Sequence, residues 1–244
     1  MHSAMAPCSK CEDCRASTLP TTSGREPFAV MESRSGTYGR HLVASTDLAR
    51  DEAVFAEAPL VVGPWSANAP VCIVCLEAVA ALEFCGRCGL DICIDCSHEG
   101  EEECVELSRV RGLRAMSRGI QYPVLTILRM SRLRVRDAEA WRRLNFLSSG
   151  SMTCDQMRRH HLYKKIGECL ADTAPVGEVL RMIGIRNTNA KGVGNGCVAI
   201  YPTFSLMNSD CSGSNTSHVV DSRTKEIVVR AATDFIARGD ELTV

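Results

Sequence analysis

The chain has 244 residues, of which 45% are hydrophobic and 23% are charged, and its formal net charge at neutral pH is -1. This length suits one substantial core, or a core with a small additional module. The near-zero net charge excludes a global attraction to nucleic acid or to an anionic membrane. No apolar run reaches the roughly 18 to 20 residues that a membrane-spanning helix needs, so we expect no membrane partner.

The first segment, residues 1–24, is rich in Ser, Thr and Ala and has no hydrophobic periodicity. We therefore expect a flexible N-terminal tail. The tail has no apolar signal-peptide core, which favours a reducing compartment, the nucleus and cytoplasm. Its three cysteines, Cys8, Cys11 and Cys14, are interpreted as free thiols, with metal binding as the alternative.

Residues 27–71 alternate β-rich apolar runs with Gly, Ser and Asp. This pattern predicts the strands of a small antiparallel sheet. The phrase TDLAR at residues 46–50 returns as TDFIAR at residues 233–238, and each copy stands between β-rich runs. The repeat predicts two similar sheet corners within one β-rich domain.

Residues 72–104 contain seven cysteines and one histidine, which include three C-x2-C pairs. Such a pair can direct two thiolates at one ion, and zinc accepts four such ligands tetrahedrally. A reducing compartment favours structural zinc over disulfides or a redox pair. The segment has few large apolar residues, so its stability would come from ligation, on the order of 10 kcal/mol per site. Interleaved cross-brace order predicts two zinc ions, one held by Cys72, Cys75, Cys93 and Cys96 and the other by Cys85, Cys88, His98 and Cys104.

Residues 105–185 carry apolar residues at helical spacing, with Pro123 and Asp137 near predicted helix starts. Ten arginines fall between Arg109 and Arg143. Solvated outer helix faces explain them better than a nucleic-acid surface does, so direct nucleic-acid binding is not favoured. Residues 186–244 return to short β-rich runs around a polar loop. The predicted fold class is α+β.

Four landmarks occur in a specific order. They are GTYGRHLVAS at 36–45, the cysteine-rich segment with its order of six cysteines, a histidine and a cysteine, IGIRNTNA at 183–190, and IYPTFSLMNSDC at 200–211. The chain resembles the SET and MYND domain family of protein-lysine methyltransferases, particularly its arthropod branch. The resemblance implies a split β-rich SET domain (27–71 and 186–244), an inserted MYND zinc finger (72–104) and a helical SET insertion (105–185).

The resemblance also implies a cofactor site for S-adenosylmethionine. His41 and Ser209 stand where the family has glycine and histidine. A neutral lysine amine of a protein substrate would attack the sulfonium methyl in line, and positioning would supply most of the acceleration. Largely through backbone groups, the residues expected to contact the cofactor are Gly39, Arg40, His41, Asn189, Asn208 and Ser209.

Two functions stay open. The first is a zinc-containing protein-lysine methyltransferase, monomeric, acting on histones or other proteins in transcriptional regulation. The family's catalytic tyrosine follows a turn that here is Gly239-Asp240-Glu241-Leu242, and the sequence reaches Val244 without it, so no catalytic residue is assigned. The second is a catalytically inactive or truncated interaction protein, whose finger binds proline-containing peptides of transcriptional corepressors.

Overall fold

The computed structural model describes residues 14–16, 26–33, 39–65, 70–78, 83–152 and 154–244. The predicted flexible tail lies outside these ranges, apart from a strand at Cys14–Ala16. The chain divides into two compact units, which we call unit 1 (Met1–Pro59 with Tyr201–Val244) and unit 2 (Leu60–Ile200). The predicted domain boundaries are drawn differently and stay predictions.

The strands are β1 (Cys14–Ala16), β2 (Phe28–Ser33), β3 (Arg40–Ala44), β4 (Leu48–Ala49), β5 (Ala53–Glu57), β6 (Val61–Pro64), β7 (Glu83–Phe84), β8 (Asp91–Ile92), β9 (Ala190–Gly192), β10 (Cys197–Ile200), β11 (Thr216–Val220), β12 (Ile227–Ala231) and β13 (Phe235–Ile236). The helices are α1 (Glu102–Arg109), α2 (Arg118–Arg136), α3 (Ala138–Asn145), α4 (Cys154–Arg159), α5 (His161–Cys169) and α6 (Val176–Asn189), with 3₁₀ turns at Leu113–Ala115 and Phe204–Leu206. This mixture confirms the α+β class.

In unit 1, the described strands form small antiparallel sheets. β2 lies between β1 and β3, β12 lies between β11 and β5, and β4 pairs with β13. The β-branched and apolar residues that predicted these strands supply the core, since Leu42 of β3, Val54 of β5 and Ile227 of β12 are each at most 1% exposed.

The two copies of the repeated TD phrase pair with each other in unit 1. β4 belongs to the first copy and β13 to the second, and they run antiparallel. Asp47 Oδ1 in the first copy accepts a hydrogen bond from the backbone N–H of Arg238 at 2.8 Å. Asp234 Oδ1 in the second copy accepts one from Arg50 Nε, also at 2.8 Å. The predicted corners are therefore the two halves of one shared corner.

Unit 2 is organised around α2, which packs against α3, α5, α6 and β6. Nine of its residues are buried, including Tyr122, Leu125 and Leu128. The strand order β6-β10-β9 forms a second set of antiparallel pairs, and β7 pairs with β8. Among the described residues, no helix has both the length and the apolarity needed to cross a bilayer.

The structure tests two predicted helix starts. Asp137 begins α3 as expected, because its Oδ1 accepts hydrogen bonds from the backbone N–H groups of Glu139 and Ala140 at 3.1 and 2.9 Å. Pro123 does not begin its helix: α2 starts at Arg118 and includes Pro123. The proline lacks an N–H and removes one hydrogen bond near the N-terminal end, where buried packing on both sides of it holds the helix together.

Candidate functional site

The cysteine-rich segment brings its eight predicted ligands together as two clusters. In each cluster the ligand atoms all lie within 4.8 Å of one another. The clusters are the two interleaved sets expected from the spacing, namely Cys72, Cys75, Cys93 and Cys96, which we call the four-cysteine cluster, and Cys85, Cys88, His98 and Cys104, which we call the histidine cluster.

Tight turns place the paired ligands. The Leu76 N–H donates to the carbonyl of Cys72 at 2.9 Å, and the Gly89 N–H donates to the carbonyl of Cys85 at 2.8 Å. Leu76 and Gly89 have φ of 63° and 78°, the left-handed conformation that reverses the chain directly after a C-x2-C pair. The second cysteine pair lies in the connection between the paired strands β7 and β8, and β8 leads directly to the third pair.

The distances inside the clusters fit zinc. Tetrahedral bonds of about 2.3 Å to sulfur and about 2.0 Å to nitrogen separate two sulfurs by about 3.8 Å, and a sulfur from a nitrogen by about 3.5 Å. The Sγ atoms of Cys75 and Cys93 lie 4.0 Å apart, and Cys88 Sγ lies 3.6 Å from His98 Nδ1. Four thiolates, or three with one imidazole, form closed donor sets of the kind that holds structural zinc.

Each cluster favours one thiolate and suppresses ionisation of others. Burial opposes ionisation of the Cys85 thiol, but the Cys88 backbone N–H and the His98 ring lower its pKa to about 6. In the four-cysteine cluster, hydrogen bonding to Cys93 together with burial raises the pKa of Cys96 to about 12. A second thiolate beside the first is unfavourable unless a cation compensates the charge, which a divalent metal would do.

A carboxylate and a guanidinium support the histidine of the second cluster. His98 Nδ1 faces Cys88, and its buried Nε2 lies 3.6 Å from Glu103 Oε1. Arg129 donates to both carboxylate oxygens of Glu103, at 2.8 and 2.7 Å. Ligating histidines commonly present their second nitrogen to a carboxylate, which fixes the tautomer and the ring orientation. The arrangement selects Nδ1 of His98 as the ligand atom.

The same guanidinium connects the cluster to the rest of unit 2. Arg129 also donates to the carbonyl of Val62 in β6, at 2.9 Å, and to the carbonyl of Ile73, at 2.8 Å. A second ion pair, in which Asp91 is buried and Arg118 is half-buried, has a similar role. Asp91 accepts two hydrogen bonds from Arg118, at 2.7 and 2.9 Å, and one from the Tyr122 hydroxyl, at 2.6 Å. These contacts join the cysteine-rich segment to α2.

The expected cofactor contacts in unit 1 meet at the C-terminal segment, residues 240–244. Leu242 N–H donates to Leu42 O of β3, and two residues later Val244 N–H donates to Asn208 O, at 2.9 and 3.0 Å. Residues two apart in an extended chain face the same edge, so along that edge the partner changes from β3 to Asn208. The C-terminal segment therefore contacts both β3, which begins at Arg40, and the loop at Asn208.

The expected cofactor residues of unit 1 differ in their exposure, and Gly39 is among the exposed ones. Gly39 has φ +59°, and among the described residues no atom beyond its chain neighbours lies within 4 Å of the position that a Cβ would occupy. Ser209 is exposed. Asn208 is half-buried, and its side-chain N–H donates to Glu241 Oε1 at 2.6 Å. His41 is only 2% exposed, so its ring is buried and does not protrude at the turn.

Asn189 belongs to unit 2 rather than to unit 1. It ends α6, and its side-chain nitrogen donates to the carbonyls of Ser148 and Ile185, both at 2.7 Å. Sequence reasoning missed Glu103 and Arg129. The run of three glutamates before Cys104 was the available signal, because a ligating histidine calls for a carboxylate, but spacing alone does not select one of the three.

No protein-family model matches the sequence. The chain is 26% identical over 229 residues to SET domain-containing protein SmydA-8, isoform A, of Drosophila melanogaster, which covers 86% of this chain and 48% of the fly protein. Isoform B is 28% identical over 228 residues, with 84% and 49% covered. The chain spans about half the length of these curated relatives.

Solved structures share the fold. Rubisco LSMT bound to AdoMet superposes with a TM-score of 0.51 and 13% identity, covering 91% of this chain and 49% of that one. Rubisco LSMT bound to Sinefungin and Monomethyllysine superposes with a TM-score of 0.50 and 14% identity, and the match covers 91% of this chain and 48% of that one. At these identities the likeness concerns the fold.

Proposed function

We propose that this chain, whose resemblance to the SET and MYND domain family is confirmed by its relatives and its fold, is the zinc-containing part of an S-adenosylmethionine-dependent protein-lysine methyltransferase. Its substrate is a lysine side chain of a protein, with histones as the first candidates. A role in transcriptional regulation, in the nucleus and cytoplasm, belongs to the same proposal.

One observation carries the proposal. In a chain with this fold, the segment at residues 240–244 hydrogen-bonds both to β3 and to Asn208, and the nearby residues Gly39 and Ser209 are exposed. Backbone N–H and C=O groups exposed at such a place can bind the polar ends of an amino-acid-like cofactor. Gly39 gives the closest approach, because no side chain stands on it.

The residues of unit 1 would bind and orient rather than react. S-adenosylmethionine, when bound, supplies an electrophilic methyl group. The hydrogen bond from Asn208 to Glu241 and those from the C-terminal segment to β3 hold the binding backbone in a fixed position. Preorganisation of this kind lowers the entropy lost on binding and on reaching the in-line geometry.

Titration calorimetry of S-adenosylmethionine into the zinc-loaded protein tests the proposal. We expect a dissociation constant in the micromolar range, which corresponds to a binding free energy of about -8 kcal/mol. Asn208→Ala removes the bond to Glu241 and should weaken binding about tenfold or more, whereas Ser212→Ala, an exposed change in the same loop, should not. If the folded, zinc-replete protein gives no binding heat, this chain does not carry the cofactor site.

The cysteine-rich segment supports a second candidate function, peptide binding. Phe84 of β7 is 63% exposed and Ile94 is 71% exposed. Exposed aromatic and apolar side chains on a rigid module suit recognition of a proline-containing peptide, which loses little entropy because it is already extended. Such binding would need the zinc-stabilised fold and no methyl donor.

The two candidates separate in one comparison. A proline-containing peptide is titrated into wild-type protein and into Phe84→Ser with Ile94→Ser. Peptide binding that is lost in the double variant, while S-adenosylmethionine binding is retained, supports a distinct peptide surface. Equal peptide affinities of wild type and double variant would eliminate that surface.

A further inference from the structure

Unit 2 contains a cavity of about 330 Å³ next to α6. Its walls are mostly apolar and come from α2, α5 and α6, together with the indole ring of Trp65, which directly follows β6. The residues used below are Trp65, Tyr163, Arg186 and Asn187.

Arg186 is a buried cation that has no counter-charge among the described residues. Its side chain lies in this wall although the residue is only 6% exposed. Among the residues that the structure describes, no carboxylate pairs with it, Nε has no hydrogen-bond partner, and the one hydrogen bond of the guanidinium is a 3.5 Å contact to Asn187 Oδ1. Burial lowers the pKa of the guanidinium to about 10, which still leaves it protonated at neutral pH.

The surroundings leave the donor edge of the guanidinium for a ligand. One face is covered by the Trp65 ring, whose centroid lies 4.3 Å from Arg186 Cζ. The Tyr163 hydroxyl, which accepts from Asn187 Nδ2 at 2.8 Å, can still donate its own hydrogen. A buried cation is normally paired, and an unpaired one is costly, so the site is built for an anion that is not part of the described chain.

We propose that this cavity binds a small organic carboxylate with an apolar body, its carboxylate on Arg186 and its body between α2, α5 and α6. Among the described residues of the wall, Arg186 is the single cation, which matches a monoanion. Arginine's planar donors accept a carboxylate through two parallel hydrogen bonds. The apolar lining disfavours a bare or multiply charged anion, because such an ion would lose its hydration without replacement contacts.

The test uses 3-phenylpropanoate as the probe and its neutral amide, 3-phenylpropanamide, as the matched control. Both are titrated into the zinc-loaded, ¹⁵N-labelled full chain while the indole N–H resonances are followed. The chain has two tryptophans, Trp65 in the cavity and Trp141 outside its wall. We expect the Trp65 resonance to shift and saturate, the Trp141 resonance to stay, and the amide to bind about 10- to 100-fold more weakly.

Variants complete the test. Arg186→Gln should weaken 3-phenylpropanoate about 10- to 100-fold while it keeps the zinc content and circular dichroism of the wild type, since it removes an unpaired buried charge. Arg142→Gln, at a side chain 66% exposed, should bind as the wild type does. If Arg186→Gln does not fold, Arg186→Lys takes its place in the test. It should retain part of the affinity for 3-phenylpropanoate, because lysine keeps the charge but lacks the planar pair of donors.

Three outcomes would overturn the inference. The first is a Trp65 resonance that does not move at up to about 10 mM probe, because a dissociation constant above that concentration is too weak for a ligand site. The second is equal affinity for the acid and the amide. The third is inorganic phosphate that binds as tightly as the acid. Displacement of the probe by S-adenosylmethionine would also overturn it, because the carboxylate would then belong to the methyl donor.

Discussion

Replacing Glu103 by glutamine is the sharpest test of how the histidine cluster is supported. The change keeps the shape of the side chain and removes the charge that Arg129 and His98 share. The side chains of Glu103 and Arg129 are only 17% and 19% exposed. Breaking a buried ion pair costs about 3 to 5 kcal/mol and an exposed one less than about 1 kcal/mol, so we expect about 2 to 3 kcal/mol lower stability.

The effect on zinc should be local. Loss of a supporting carboxylate typically weakens a metal site about 10- to 100-fold. A competitive titration with a chromophoric zinc chelator should show the histidine cluster of Glu103→Gln releasing its ion at correspondingly lower chelator concentration, with the four-cysteine cluster unchanged. Urea unfolding of the zinc-loaded protein measures the stability change in parallel.

Glu102→Gln is the matched control, because it makes the same chemical change one residue earlier. Glu102 is 64% exposed and contacts Arg132 and Arg136 at the surface. We expect Glu102→Gln to lower the unfolding free energy by less than about 1 kcal/mol and to leave the zinc affinity unchanged. Equal zinc affinity in the two variants would refute the assignment of Glu103 to His98.

Three further outcomes are expected. Asp91→Asn should lower the unfolding free energy, measured by urea titration, by about 3 kcal/mol, because Arg118 and the Tyr122 hydroxyl lose a buried partner. Tyr122→Phe should lower it by only about 1 kcal/mol. Equal losses in the two variants would contradict this ranking. Asn215→Ala removes the side-chain hydrogen bonds to the backbone of Glu241 and Thr243, and it should speed amide hydrogen exchange in the C-terminal segment. Ser214→Ala, at an exposed residue, should leave that exchange rate unchanged. Zinc removal by a chelator should abolish the cooperative unfolding of the cysteine-rich segment, and a cooperative transition in zinc-free protein would argue against structural zinc.

The cysteine-rich segment shows what local spacing can predict. Ligand pairs are fixed by turns of a few residues, so the partition into two interleaved clusters follows from the chain order and agrees with the structure. The N-cap at Asp137 is equally local. The α+β class followed from the pattern of β-rich and helical segments, and the family resemblance followed from the order of short motifs along the chain.

Long-range contacts could not be predicted in the same way. Arg129 lies 26 positions after Glu103, and only the packing of α1 against its surroundings decides which glutamate faces His98. The repeated TD phrase indicated two corners, but not that they pair with each other, because sheet pairing depends on tertiary register. The burial of Arg186, which lies in the motif IGIRNTNA, is likewise a result of tertiary packing that the local sequence does not indicate.

Native mass spectrometry of the intact chain, incubated with zinc and S-adenosylmethionine, tests the central claim most directly. We predict a dominant species that carries two zinc ions and one S-adenosylmethionine. In Asn208→Ala we predict lower occupancy by S-adenosylmethionine, with both zinc ions retained. A folded chain that binds no zinc, or that binds two zinc ions but no methyl donor at concentrations well above micromolar, would contradict the account.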